Sequence, residues 1–275
     1  MKTYVIVNLK GGVGKTTSAA NLGYSMSVLG KRVLLIDADP QSNLTPFFTK
    51  ANPNGKTLRD VFLHPDRIGN IICRSKYENI DIIKGSTALK EADAIGEMVL
   101  SEALCLVADQ YDVCLIDTRP VIESITKNAI QAGNVIVTPV LLDKFCRDNL
   151  LLLEDELHAM EHTYGFKWCV FANKVANKRS QKRIYADMVE MHDFPFLDTC
   201  VSRGAVVENA LDQYKPVIRH RRKSNAAADY MELAKELLGG VGHGKNRYDL
   251  WRDGEKVRES SQQGYKVDPL YKIKR

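Results

Sequence analysis

The sequence predicts an α/β fold, a mostly parallel twisted sheet with helices on both faces, and three observations predict it. Short apolar runs rich in β-branched residues recur at 4–7, 32–36, 79–83, 111–116, 134–140 and 168–173, as strands buried on both faces require. Helix-forming stretches separate most of them. The first run leads into a glycine turn that opens a helix, and two later runs end in aspartate, so polar groups gather at the carboxyl ends of strands.

After the first strand comes Asn8-Leu9-Lys10-Gly11-Gly12-Val13-Gly14-Lys15-Thr16-Thr17. Gly11, Gly12 and Gly14 permit backbone conformations that a Cβ resists, so successive N–H groups can turn around an anion. The helix start adds its positive dipole end. In a P-loop of this kind Lys15 supplies charge to β- and γ-phosphates, and the Thr16 hydroxyl is placed to ligate Mg²⁺. The pattern G-x-x-x-x-G-K-[ST] needs glycine at position 9, and this chain has Leu9 followed by a second lysine, Lys10. Lys15 suffices for one nucleotide. Lys10 is then either a solvated loop residue or one that serves another anion.

Lys10-Gly11-Gly12-Val13-Gly14-Lys15-Thr16-Thr17 resembles the deviant Walker A motif of the ParA/MinD ATPases, most of all ParA partition proteins. The resemblance implies a P-loop NTPase fold over residues 1–238, with ATP held by Lys10, Gly11, Gly12, Val13, Gly14, Lys15, Thr16 and Thr17. It further implies that Lys10 reaches the nucleotide of a second subunit, which makes the homodimer ATP-dependent. Lys10 and Lys15 become catalytic candidates.

The next strand, 32–36, follows a helix stop at Gly30-Lys31 and ends in Asp37-Ala38-Asp39-Pro40-Gln41. Acids there can cap a following helix. They also resemble the family's A′ motif, in which Asp39 orients the attacking water and Asp37 helps organise the metal shell. Residues 42–60 read as loop, and 57–62 open a short helix. A strand at 79–83 precedes a helical pattern from about 89 to 108. The strand ending in Asp117 has the Walker B form, whose aspartate holds Mg²⁺ through water. The family usually continues Asp-x-Pro-Pro; here Arg119 intervenes, either solvated or touching phosphate or a partner.

Beyond the strand at 134–140, a helix aligns Cys146, Leu150, Leu153, Leu157 and Tyr164 on one face, for core or dimer contacts. The strand at 168–174 ends in Asn173, which is a turn residue or, by the resemblance, the adenine contact. Two basic clusters follow: Lys178, Arg179, Lys182 and Arg183, then Arg219, Arg221, Arg222 and Lys223. Such clusters are solvated faces or nucleic-acid contacts, and the resemblance implies nonspecific DNA binding through this region. A last amphipathic helix runs from Ser224 to Leu238 and stops at Gly239-Gly240. Residues 239–275 read as an extended basic tail with nine Lys/Arg against five Asp/Glu, and with no apolar stripe suited to a membrane surface.

At 275 residues, 44% hydrophobic and 27% charged, the chain can build one large core. It has no 18-residue apolar run and leads straight into a strand, which predicts a cytoplasmic protein without a signal peptide. Six cysteines without a C-x-x-C pair read as reduced, buried thiols. The net charge of +5 lies mostly in the tail, so DNA affinity in the body requires a local patch. The expected function is an ATPase for DNA segregation. Its ATP dimer binds DNA nonspecifically over the nucleoid and lets go on hydrolysis, which a centromere-binding, ParB-like partner stimulates. The rivals are a MinD-like membrane-cycling regulator and a metabolic ligase of the dethiobiotin synthetase type.

Overall fold

In the computed structural model the described residues are 1–50, 55–176, 178–190, 192 and 194–239. Among them lie seven strands: β1 (Lys2–Ile6), β2 (Val33–Asp37), β3 (Cys73–Arg74), β4 (Ile80–Ile83), β5 (Val113–Asp117), β6 (Val135–Val140) and β7 (Lys167–Ala172). They form one sheet in the order β3-β4-β2-β5-β1-β6-β7. Every pairing is parallel except β3 with β4. β2, β5 and β6 are buried at every position, which explains why they are continuous apolar runs without alternation. The connection from β1 leads towards β2 on one side and the one from β5 crosses to β6 on the other, so the sheet's switch point lies at the carboxyl end of β1.

The helix Lys15–Val28 stops where the sequence places a stop. Gly30 adopts φ +81°, its N–H reaches Ser27 O at 2.9 Å, and Lys31 N–H reaches Met26 O at 3.1 Å, a Schellman closure. The last helix, Asn225–Leu237, is capped by the Ser224 hydroxyl and packs on that first helix, and Tyr4 donates to Leu237 O at 2.6 Å. Gly239, at φ +86°, follows it; Gly240 and the expected tail lie outside the described residues.

Three local readings change. The helical pattern at 89–108 is broken into a 3₁₀ turn, Glu91–Ala94, and a short helix, Val99–Cys105. Asn128 Nδ2 captures Ala94 O at 3.1 Å and Gly96 O at 2.7 Å, and Met98 takes φ 60°, so the chain reverses where periodicity would have continued a helix. The span read as loop contains a helix, Thr45–Phe48, because the Asp37 carboxylate takes the Thr45 N–H at 2.8 Å and its hydroxyl at 2.7 Å. Pro46 suits that first turn, and Phe47 and Phe48 are buried. Of the six free cysteines, Cys114, Cys146 and Cys200 are buried, whereas Cys105 is exposed. Among the described residues, no helix is long and apolar enough to cross a membrane.

Candidate nucleotide and metal site

The glycine loop is pinned from two sides. Gly12 and Gly14 have φ of +76° and +97°, conformations that side chains resist. A Cβ on Gly14 would stand 2.5 Å from Asn173 Nδ2, so this glycine is required twice. Asn173, just past β7, donates to Val13 O at 2.8 Å, and Lys174 Nζ reaches Gly12 O at 3.0 Å. On the other side Asn8 accepts from Lys10 N at 2.8 Å and donates to Pro139 O at 2.8 Å.

Within this frame the two lysines diverge. Lys15 is buried and turns inward, its ammonium donating to Asn8 O at 3.0 Å and Lys10 O at 3.2 Å. Burial lowers its pKa, and Asp117 and Asp39 oppose that shift. Lys10 turns outward to Asp143 at 3.2 Å and lies 5.5 Å from the ring centroid of Phe145, which is 74% exposed. Burial pulls its pKa down, but bonds to Cys146 and Asp143 outweigh this and leave it raised. Of the two alternatives for Lys10, a solvated loop residue or one that serves another anion, the anion beside it in this subunit is the Asp143 carboxylate. That carboxylate also caps the helix Lys144–Tyr164 by accepting Cys146 N–H at 2.8 Å. Sequence reasoning missed Asp143, although an aspartate just ahead of a helical pattern is a recognisable cap.

Asp37 and Asp117 stand side by side, in register at the ends of β2 and β5, and neither is exposed. Asp37 Oδ2 is satisfied by Thr45, while Asp37 Oδ1 and both oxygens of Asp117 lack a hydrogen bond. Burial raises Asp37 to about 6 against the opposing Thr45 bonds. Burial, then Asp37, pushes Asp117 well above the usual carboxylate range, with the Thr16 hydroxyl and Lys15 pulling the other way. Paired, buried and unsatisfied carboxylates are costly unless a cation joins them. Three orphaned oxygens beside the Thr16 hydroxyl make a hard, all-oxygen donor set, which fits Mg²⁺ completed by water and phosphate. Asp39 is half-exposed at the mouth, where it accepts Gln41 N–H at 2.9 Å.

Other expectations sort differently. Arg119, its side chain 29% exposed, pairs with Glu91 at 2.6 Å, and Glu91 also accepts Ile125 N–H at 3.0 Å. Cys146, Leu150, Leu153 and Leu157 are core residues, as their spacing predicts. Lys178, Arg179 and Arg183 are exposed beyond β7, at one edge of the sheet, and Lys182 is partly covered. Arg219, Arg221, Arg222 and Lys223 are all exposed, and Arg219 acts electrostatically on Tyr77, in the β3–β4 turn at the opposite edge. One subunit thus keeps its two basic clusters apart.

A parallel sheet with a glycine loop at its switch point, an inward lysine and two buried carboxylates at strand ends defines a P-loop ATPase. The chain belongs to the AAA_31 family, described as an AAA domain and matching residues 1–167, and to the ParA family of partition ATPases. It is 31% identical over 253 residues to the virulence plasmid ParA family protein pGP5-D of Chlamydia muridarum (strain MoPn / Nigg), covering 86% of this chain and 92% of that one. Two solved structures share the fold. The ATP complex of Cyanothece McdA(D38A) has a TM-score of 0.77 at 24% identity, covering 88% of this chain and 97% of that one. Cobyrinic acid a,c-diamide synthase from Mycobacterium smegmatis, with an ATP analogue and magnesium, has a TM-score of 0.76 at 22% identity, covering 86% and 94%.

Proposed function

We propose that this ATPase partitions DNA by cycling between an ATP-bound dimer that holds DNA and a released state after hydrolysis. One observation carries the reading: of two lysines in one phosphate loop, Lys15 alone turns into the loop while Lys10 faces an exposed rim. Such a lysine suits a triphosphate presented by a second copy of the chain.

ATP and Mg²⁺ are the cofactors. The loop from Gly11 to Thr17 surrounds the phosphates, with Lys15 leaving its two carbonyls for β- and γ-oxygens. Thr16 and Asp117, with Asp37 behind, would hold Mg²⁺, which when bound would supply positive charge against the phosphoryl oxygens. Asp39 at the mouth aligns the attacking water. Lys10 of each subunit exchanges Asp143 for the other subunit's phosphates and stabilises the charge that develops there, as an arginine finger does. Asn173 spends one N–H on Val13 O and its oxygen on Lys174 N–H, which leaves one N–H and one lone pair for adenine.

Dimerisation would double the basic clusters Lys178, Arg179, Lys182, Arg183 and Arg219, Arg221, Arg222, Lys223, so that sites weak alone hold the DNA backbone together. Hydrolysis parts the dimer, and a centromere-binding, ParB-like protein accelerates it. The protein then resides in the cytoplasm on nucleoid DNA. The fold is common to a diamide synthase, so the outward lysine and the unpaired arginines, rather than the sheet, favour partition over ligase chemistry. The test is retention on DNA with ATP, ADP or no nucleotide, for the wild type and Lys10→Ala. ATP-only retention lost in the variant supports the reading; equal retention in all states defeats it.

A further inference from the structure

An aromatic stack runs beneath a second set of cations that the sequence does not group with the arginine arm. Tyr24 meets Tyr77 edge-on at 5.1 Å, Tyr77 meets Phe48 at 5.8 Å, Phe48 lies 6.4 Å from Phe47, and Phe47 meets Tyr214 edge-on at 5.8 Å. These rings join four segments: the helix Lys15–Val28, the β3–β4 turn, the helix Thr45–Phe48 and the loop ahead of the arginine arm. Lys76 is fastened to the stack by its N–H, which donates to Phe48 O at 2.8 Å, and its ammonium lies 5.4 Å from the Tyr77 centroid.

The stack brings cations together. Lys76 is exposed, and its pKa is lowered by burial of the stem and by the charge of Lys215; Arg219 acts on Tyr77 in the same cluster. Among the described residues none of Lys76, Lys215, Arg219, Arg221, Arg222 and Lys223 has an ion-pair partner. Glu78 and Asp212, the acids nearest in sequence to Lys76 and Lys215, are both exposed and pair with none of the six. Next to Lys215 in the chain is Tyr214, 51% exposed and held at φ 47°, a conformation that costs a tyrosine energy and that its contact with Phe47 helps to hold. Repelling cations spread over an open surface, with an aromatic hydroxyl among them, suit an extended polyanion better than a small closed-in anion.

We propose that the DNA-facing surface extends from the arginine arm across Tyr214 and Lys215 to Lys76, so that the phosphate backbone is gripped by residues from both halves of the chain. This rests on the partition reading above. It adds Tyr214 and Lys215, and from the β3–β4 turn, far in sequence from both basic clusters, Lys76.

The test is fluorescence anisotropy of a random-sequence duplex with ATP over a salt series. It compares wild type, Arg221→Ala with Arg222→Ala, Lys76→Ala with Lys215→Ala, and a charge-matched control, Lys127→Ala with Lys167→Ala. Each lost phosphate contact lowers the salt slope by about 0.9, so Lys76→Ala with Lys215→Ala should lower it by roughly 2 and weaken binding several-fold at every sequence. ATP affinity and basal turnover should stay unchanged, and the control should match wild type. Loss in the arginine variant with no loss in the Lys76/Lys215 variant overturns the extension and leaves the partition reading standing. A wild type that binds no DNA overturns both. An equal loss in the control overturns the extension, because net charge alone would then explain it.

Discussion

The Lys10 ammonium rests 3.2 Å from the Asp143 carboxylate, so the lysine that distinguishes this phosphate loop is held by the N-cap of the helix Lys144–Tyr164. The pair is partly solvated, with side chains 28% and 41% exposed, and pairs of that kind contribute little, on the order of 0–1 kcal/mol. It is a weak hold, easily exchanged.

Lys10→Ala should therefore change unfolding free energy by less than about 1 kcal/mol and leave ATP binding by the monomer intact. Sedimentation with a non-hydrolysable ATP analogue should show dimer for the wild type and monomer for the variant. A variant that dimerises normally removes Lys10 from the interface.

Asp37 gives a pH signature with a defined sign. Its folded pKa, about 6, lies above its ordinary value of 3.8, so the folded state binds more protons through that interval. Through Asp37 the stability of the metal-free protein should fall as pH rises from about 4 to 6, by about 3 kcal/mol at most, and the raised carboxyl of Asp117 carries the fall further as pH rises. Asp37→Asn should flatten that slope in thermal melts without Mg²⁺, raise stability at pH 7 and weaken Mg²⁺-dependent nucleotide binding. An unaltered slope would place the titration elsewhere.

Gly14→Ala meets two obstacles, a backbone at φ +97° and the Asn173 amide 2.5 Å from the new methyl. The expected loss is roughly 1–3 kcal/mol, together with nucleotide binding. Adding Asn173→Ala clears the space but not the dihedral, so it should restore stability only in part. Full restoration would show that crowding alone dictates the glycine.

Lys15→Ala should abolish nucleotide binding. Asp39→Ala should keep ATP, slow phosphate release and prolong DNA retention. Rapid turnover by Asp39→Ala would end its role as the water-aligning group.

The sheet and the loop were legible because their signals are local. Buried parallel strands are uninterrupted apolar runs, and Gly11 to Thr17 carries its chemistry in consecutive residues. What stayed hidden depends on partners far along the chain. Asn128 breaks the expected helix near Gly96 from 32 residues away, and Glu91 claims Arg119 across 28. Asp143 reaches Lys10 across 133 residues, so no spacing rule could have paired them. Turn residues led 42–60 to be read as loop, and the short helix Thr45–Phe48 inside it stayed hidden because the carboxylate that takes its first N–H is Asp37, eight residues earlier on another element.

That last bond ties two distant regions by one tether. The carboxylate poised for the metal also starts the helix whose rings seat Tyr214 and Lys76, so whatever draws Asp37 away from Thr45 loosens the floor under the cations. Cutting the tether with Thr45→Val would let nucleotide occupancy and grip on the double helix drift apart. If the proposed cycle holds, this threonine is a small part on which the timing between fuel and cargo hangs.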